Sequence, residues 1–180
     1  MGDSQPSTQT EARDRAHRVA VTEKPPFAVA SPDYADAFEV ARRPTDRRSA
    51  ERWARDGFER LPVAARRSGM LAHRWILGFR LGPWASPDHV FGWTIAMSEP
   101  KLLHLEARSR LLSGDMVWRL HDTRLVMTTF LRYEMQRTGA VVWAALGNVH
   151  RGGAPHLLEL AATALEAGTI ERRRRERQGQ

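Results

Sequence analysis

Seven histidines and no cysteine set the chemistry that this 180-residue chain can attempt. Without a thiol, disulfide scaffolds and sulfur nucleophiles are excluded, and imidazole becomes the natural carrier of protons near neutral pH. His104 and Glu106 stand two apart in a stretch of alternating character. On a strand both side chains face the same way, so a carboxylate could orient an imidazole there. Arg108 continues that face, however, and the three together read as a solvated polar surface. His150 and His156 are too far apart on one helix to share a metal simply, and no third ligand has fitting spacing, so no metal site is expected. His150 with Arg151 is the more suggestive pair, because it follows an apolar stretch and precedes Gly152, Gly153 and Pro155. There the two side chains could meet the polar end of a ligand, or they could cap helix carbonyls or pair with Glu134 or Asp115. The second role is the one adopted. G-x-S-x-G, P-loop, H-E-x-x-H and dinucleotide-binding glycine motifs are all missing. No cofactor is expected.

Those residues need elements to hold them. Residues 31–168 read as one domain, with a polar tail at 1–30 and a basic tail at 169–180, both expected to be disordered. Tyr34, Asp36 and Phe38 would share one face of a short first strand. Ala50, Trp53, Ala54, Phe58 and Leu61 then recur at helical spacing, with Thr45, Asp46 or Ser49 as the cap. Pro62 suits the first turn of a second helix running to about Phe79 and burying Val63, Met70, Leu71, Trp75 and Leu77. From His89 the period becomes two. Phe91, Trp93, Ile95 and Met97 form the heavy face of the first of four meander strands. Turns are expected at Ser98-Glu99-Pro100, Ser113-Gly114 and Asp122-Thr123. The last third is helical, kinked or divided near Gly152, Gly153 and Pro155, and frays past Gly168. A meander with one heavy face needs a cover, and the C-terminal helix is the large apolar element left to provide it. The result is an α+β fold in which a curved antiparallel sheet grips a long C-terminal helix.

That order resembles the START-like, or helix-grip (SRPBCC), superfamily, which includes Bet v 1-like and polyketide-cyclase-like proteins. A nearer likeness lies in Lys101-Leu-Leu-His-Leu-Glu106 followed by Leu112-Ser-Gly-Asp-Met-Val-Trp118, and in Val141-Val-Trp143 with Gly147-Asn-Val-His150-Arg151. These stretches resemble an actinobacterial family known as domain of unknown function 2867 (DUF 2867), over roughly Asp33 to Leu165. The family usually has a proline where this chain has Gly147 or Asn148. The resemblance implies a helix-grip fold and, by superfamily habit, a cavity between sheet and helix; it implies no reaction.

The bulk of the side chains suggests a cavity independently. Trp93, Trp118 and Trp143, with Phe91, Met97, Met116, Met127 and Tyr133, supply large rings and thioethers, whereas Ala140, Ala144 and Ala145 make the C-terminal helix slim. Bulk against small residues leaves either tight interdigitation or a void. A void lined by Trp93, Met116, Trp118, Met127, Tyr133 and Trp143, with His150 and Arg151 at one end, would suit a small hydrophobic ligand. If the domain were an enzyme, a cyclase or dehydratase type would require polar groups inside that void.

The net charge of +7 raises a competing reading, in which an arginine-rich tail engages nucleic acid or a protein partner. Its distribution argues otherwise: residues 169–180 contribute +3, residues 31–168 only +4, and all basic residues but Lys24 and Lys101 are arginine. A codon habit explains that uniformity better than a phosphate-binding surface, and nucleic acid is not the expected partner. Neither a signal peptide nor a membrane span is legible, since the longest apolar run, Ala140 to Leu146, falls far short of the roughly 20 residues a span needs. A cytoplasmic protein is the expectation, and the oligomeric state is left open.

Overall fold

A computed structural model describes residues 15–25 and 31–178, without the side chains of residues 85 and 165–178. Its centre is one antiparallel sheet in the order β1-β2-β8-β7-β6-β5-β4-β3. The strands are β1 (His17–Val19), β2 (Tyr34–Ala41), β3 (Ala85–Ser86), β4 (His89–Val90), β5 (Trp93–Glu99), β6 (Leu102–Arg108), β7 (Leu112–Leu120) and β8 (Arg124–Tyr133). Between β2 and β3 come helix α1 (Ala50–Arg60), helix α2 (Val63–Leu71) and a π-helical turn (Ala72–Ile76); helix α3 (Gln136–Gln178) ends the chain. The class is α+β, with the inner face of the sheet packed against the long C-terminal helix.

Alternation on the strands decides what enters the core. Leu103, Leu105, Leu112, Trp118, Leu125 and Met127 point inward and are buried. Asp122-Thr123 forms the hairpin between β7 and β8, closed by the His121 N–H donating to the Arg124 carbonyl at 2.8 Å. Ser113-Gly114 does not turn the chain: both lie inside β7, and Ser109 organises the preceding turn instead, its hydroxyl accepting from the N–H groups of Leu111 and Leu112. The first expected meander strand is divided in two. Phe91 and Gly92 have φ of 53° and 76°, making a two-residue turn between the paired Val90 and Trp93. Such mirror-type turns match the twist of the flanking strands, and glycine reaches them without steric cost. Phe91 hid the turn from the sequence pattern because its ring is buried, stacked on Phe58 at 4.6 Å. A register shift between Ile95 and Met97 then sends Met97 to the outer face opposite His104, where it is exposed rather than part of the heavy face.

The helices depart from the expected pattern in one important place. Helix α1 starts where Ser49 accepts the Arg52 N–H at 3.2 Å, and it buries Ala50, Trp53, Ala54 and Phe58 as their spacing requires. Neither α2 nor the π turn buries a residue, however. Val63, Leu71 and Trp75 are exposed, against the expectation of burial, whereas Leu77 beyond the turn is core. Helix α3 runs unbroken through Pro155. Its alanines Ala140, Ala144 and Ala145 face solvent, so they are not the slim surface opposite the sheet; Trp143, Ala154, Leu157, Leu158 and Ala161 make the buried side. At the chain ends, His17–Val19 is a strand paired with β2 rather than part of a structureless tail, and α3 carries helical backbone past Gly168 to Gln178. Residues 1–14, 26–30, 179 and 180 of the expected tails lie outside the described residues.

Two contacts fix α3 on α1. A Cβ built on Gly57 would lie 2.9 Å from the Leu157 carbonyl oxygen and 3.2 Å from the Ala161 Cβ, so the helices touch through bare backbone. Beside it, the largely buried Arg48 pairs with Asp46 and Asp56 at 2.7 Å each, donates to the Ala161 carbonyl at 2.9 Å and stacks over Trp53. Burial alone would raise the Asp46 pKa, but the hydrogen bonds from Arg48 outweigh it and hold that carboxyl below its ordinary value. Gly57→Ala tests the contact against intrinsic helix preference. Alanine should gain about 1 kcal/mol of propensity, yet overpacking costs about 1–3 kcal/mol, so a net loss of stability is expected in urea unfolding. A more stable Gly57→Ala variant would show that the helices are not in contact there.

Candidate functional site

A cavity of about 460 Å³ opens between the inner face of the sheet, α2 and α3. Each wall follows from local sequence. Trp93, Met116 and Met127 rise from β5, β7 and β8 at inward positions, and Phe91 joins them from its turn. From α3 come Trp143, Leu146, His150, Gly153 and Leu157, spaced three and four apart, with Val149 and His156 beside them. The third wall is the side of α2 and its π turn that carries Ala65, Ser68, Gly69, Ala72 and His73. Space is left because these α2 residues are small, not because α3 is slim.

Of the candidate residues, Trp93, Met116, Met127, Trp143 and His150 line this cavity, whereas Trp118, Tyr133 and Arg151 do not. Trp118 is fully buried in the core beside Phe58. Tyr133 packs against Gly139 near the start of α3. Arg151 turns away to donate to the Asn148 side-chain oxygen at 2.7 Å and to the Tyr34 hydroxyl at 3.4 Å.

His150 is not paired with Glu134 or Asp115, nor does it cap a helix. Its Nε2 lies 3.2 Å from Asp36 Oδ1, and the other Asp36 oxygen accepts from the Tyr34 hydroxyl at 2.6 Å. Asp36 is completely buried, on an inward strand position that is otherwise apolar. Trp143 packs edge-on to Tyr34 at 4.9 Å and lies 5.3 Å from the His150 ring, while Phe38 closes the other side at 6.3 Å. Orientation of the imidazole is therefore set by a carboxyl behind it and rings beside it, and Nδ1 has no partner among the described residues. Burial, and then the hydrogen bond to Asp36, push the Tyr34 pKa above its ordinary value, so Tyr34 stays a donor.

A second imidazole, His73, faces the cavity from α2. Its Nδ1 lies 2.9 Å from the Gly69 carbonyl oxygen, which only accepts, so Nδ1 carries the hydrogen and Nε2 is an acceptor. Phe79, Phe91 and Trp93 ring it with centroids 5.3–6.1 Å apart from one another or from the imidazole. Part of its surface remains open, but to the cavity. Desolvation, and secondarily the proximity of His150, lower its pKa to about 4, so it is neutral at physiological pH.

His104 and Glu106 do share a face, as their spacing requires, but it is the outer one, away from the cavity. His104 is not solvated there: it is buried and bonds Asp115 at 2.9 Å, while Glu106 pairs with Arg108 at 2.8 Å. Burial would raise the Asp115 pKa, but hydrogen bonds from His104 and Arg108 prevail and lower it. Among the described residues, no group of three or more histidine, aspartate or glutamate side chains is placed to hold a metal.

Asp36, His73 and His156 are the polar residues of the site that sequence reasoning missed, the last weighed only as a metal ligand although it lines the cavity. Asp36 had a signal, a lone carboxylate on the apolar side of a strand. His73 had a weaker one, four residues after a glycine on a helix whose apolar side was assigned to Val63, Leu71 and Trp75.

His73 predicts a pH dependence. The unfolded chain takes up a proton near pH 6.5 that the folded protein refuses until about pH 4. Stability is therefore fully present above that first value and falls as pH drops through the window, by on the order of 3 kcal/mol. His73→Asn keeps a donor for the Gly69 carbonyl but cannot titrate. Compared by urea unfolding at about pH 7 and about pH 4.5, it should lose less stability than the parent, and equal losses would assign the effect elsewhere. In comparisons with known proteins, no family model, no curated protein and no solved structure matches this chain.

Proposed function

We propose that this domain binds a small, uncharged, largely apolar molecule between the sheet, α2 and α3, as a helix-grip domain of the START-like kind. The observation that carries the reading is the cavity itself, about 460 Å³ with mostly apolar walls. Ligand sites commonly span about 300–1,000 Å³ with a few convergent polar groups, a role open here to His73 and His150. No lysine or arginine lines it, so an anionic head group would be desolvated without a counter-charge. The order of the strands supports the helix-grip assignment: β2 lies beside the last strand, β8, two helices follow β2, and the long helix closes the chain. The motif likeness to DUF 2867 points the same way.

Thermal shift against apolar alcohols, phenols and their matching carboxylates tests the proposal. A ligand at about 100 times its Kd adds about 2.7 kcal/mol to stability. A Cβ on Gly153 meets nothing within 4 Å, so Gly153→Phe can fill the mouth without disturbing the core. Uncharged compounds should raise the Tm of the parent and not of Gly153→Phe. A panel that shifts neither protein, or shifts both equally, would overturn the reading.

The Asp36–His150 pair favours one addition, proton transfer on the bound molecule. With Nε2 held by Asp36, His150 Nδ1 could take a proton from a carbon next to a carbonyl, the electron pair passing to the carbonyl oxygen, and then return it. The chain should accelerate deuterium exchange into 2-tetralone. His150→Gln should abolish that acceleration while changing binding by less than about threefold. No acceleration by the parent would exclude this second role.

A further inference from the structure

Helix α2 and the π turn after it have one side toward the cavity and an opposite side that no part of the described chain covers. Val63, Leu71, Trp75 and Ile76 are 53%, 56%, 75% and 49% exposed, on an element without a single buried residue. Val63, Arg67, Leu71 and Trp75 succeed one another at intervals of four, forming one stripe of mixed apolar and basic character. Charge around the stripe is one-sided. From Leu61 to Pro87 the chain has four arginines, Arg66, Arg67, Arg74 and Arg80, and no acidic residue. None of the four enters an ion pair among the described residues; Arg66 lies over the Trp84 ring at 4.8 Å and Arg74 beside Trp75.

We infer that this face docks on an anionic phospholipid surface. A second copy of the chain would bring arginines against arginines. A nucleic acid would neutralise them but leave Val63, Leu71 and Ile76 in water. A bilayer headgroup region meets both demands, with phosphates for the guanidinium groups and the acyl boundary for the tryptophan and aliphatic side chains. Such a helix lies in the plane of the surface and does not span it, consistent with there being no helix among the described residues long and apolar enough to cross a membrane. The cavity itself reaches the surface on α3, where Val149 is both lining and 71% exposed.

The test is co-flotation of the full chain with vesicles of phosphatidylcholine alone, or with about one part in three phosphatidylglycerol. Binding is expected to the anionic vesicles, to weaken with salt, to fall about fivefold in Arg67→Gln and by at least about tenfold in Trp75→Glu. Both side chains are exposed, so unchanged Tm values will confirm that the variants fold. Three results would overturn the inference: no flotation of the parent; flotation of Trp75→Glu equal to the parent, which would move binding to the C-terminal arginines; or no flotation with Trp75-dependent self-association, which would make the face a contact between copies. Vesicle binding does not require an occupied cavity, so this result and the ligand result stand apart.

Discussion

Helix α3 lies across the sheet because α1 lets it come close. Gly57 removes the side chain that would separate the two helices, and Arg48 ties the loop before α1 to the Ala161 carbonyl and to two carboxylates. With the second half of α3 held by Ala154, Leu157, Leu158 and Ala161, the position of its first half is determined by helix geometry. That first half carries Trp143 and His150 over Met116 and Met127 at a distance that leaves space. The cavity is thus the consequence of a tight contact elsewhere, and α2 is the thin element left to roof it.

Burying Asp36 beneath α3 has a cost that the neighbouring groups must offset. An unpaired carboxyl inside a protein is strongly unfavourable, and here both oxygens are engaged, by Tyr34 and by His150. One partner comes from the same strand and the other from α3, more than a hundred residues away, so the pairing also records that helix and sheet have met in the right register. The same groups that could hold a ligand serve the fold.

Much of the architecture was legible because its signals are local. The stripe of Ala50, Trp53, Ala54 and Phe58, the Ser49 cap, and the alternation over residues 103–107, 116–120 and 125–133 each predict their element correctly, although the turn expected at Ser113-Gly114 lies inside β7. What escaped depends on features without periodicity. Phe91 occupies a turn with a residue that belongs to the core, so alternation ran straight through it. The register shift after Ile95 reversed the side of Met97, and no composition rule marks such a shift. For α2, apolar content predicts burial, yet the cavity side of that helix is built from Ala65, Ser68, Gly69 and Ala72, only Met70 packs partly against the core, and Val63, Leu71 and Trp75 face outward. Five of the eight expected cavity residues line the space, since β-strand alternation and helical spacing place them; Trp118, Tyr133 and Arg151 do not, because neither period says how far along an element a cavity extends.

The two margins of the sheet carry a further consequence. Its outermost strands, His17–Val19 on one side and Ala85–Ser86 on the other, are only three and two residues long. A long bare margin would offer rows of unpaired amides and carbonyls on which another copy could grow a continuous ladder. Stubs this short offer almost no template, and behind β4 the stretch of β5 from Ala96 to Glu99 that it leaves unpaired is interrupted by the register shift after Ile95 and ends in an exposed Glu99, so the flat, continuous ladder another copy would need is broken there.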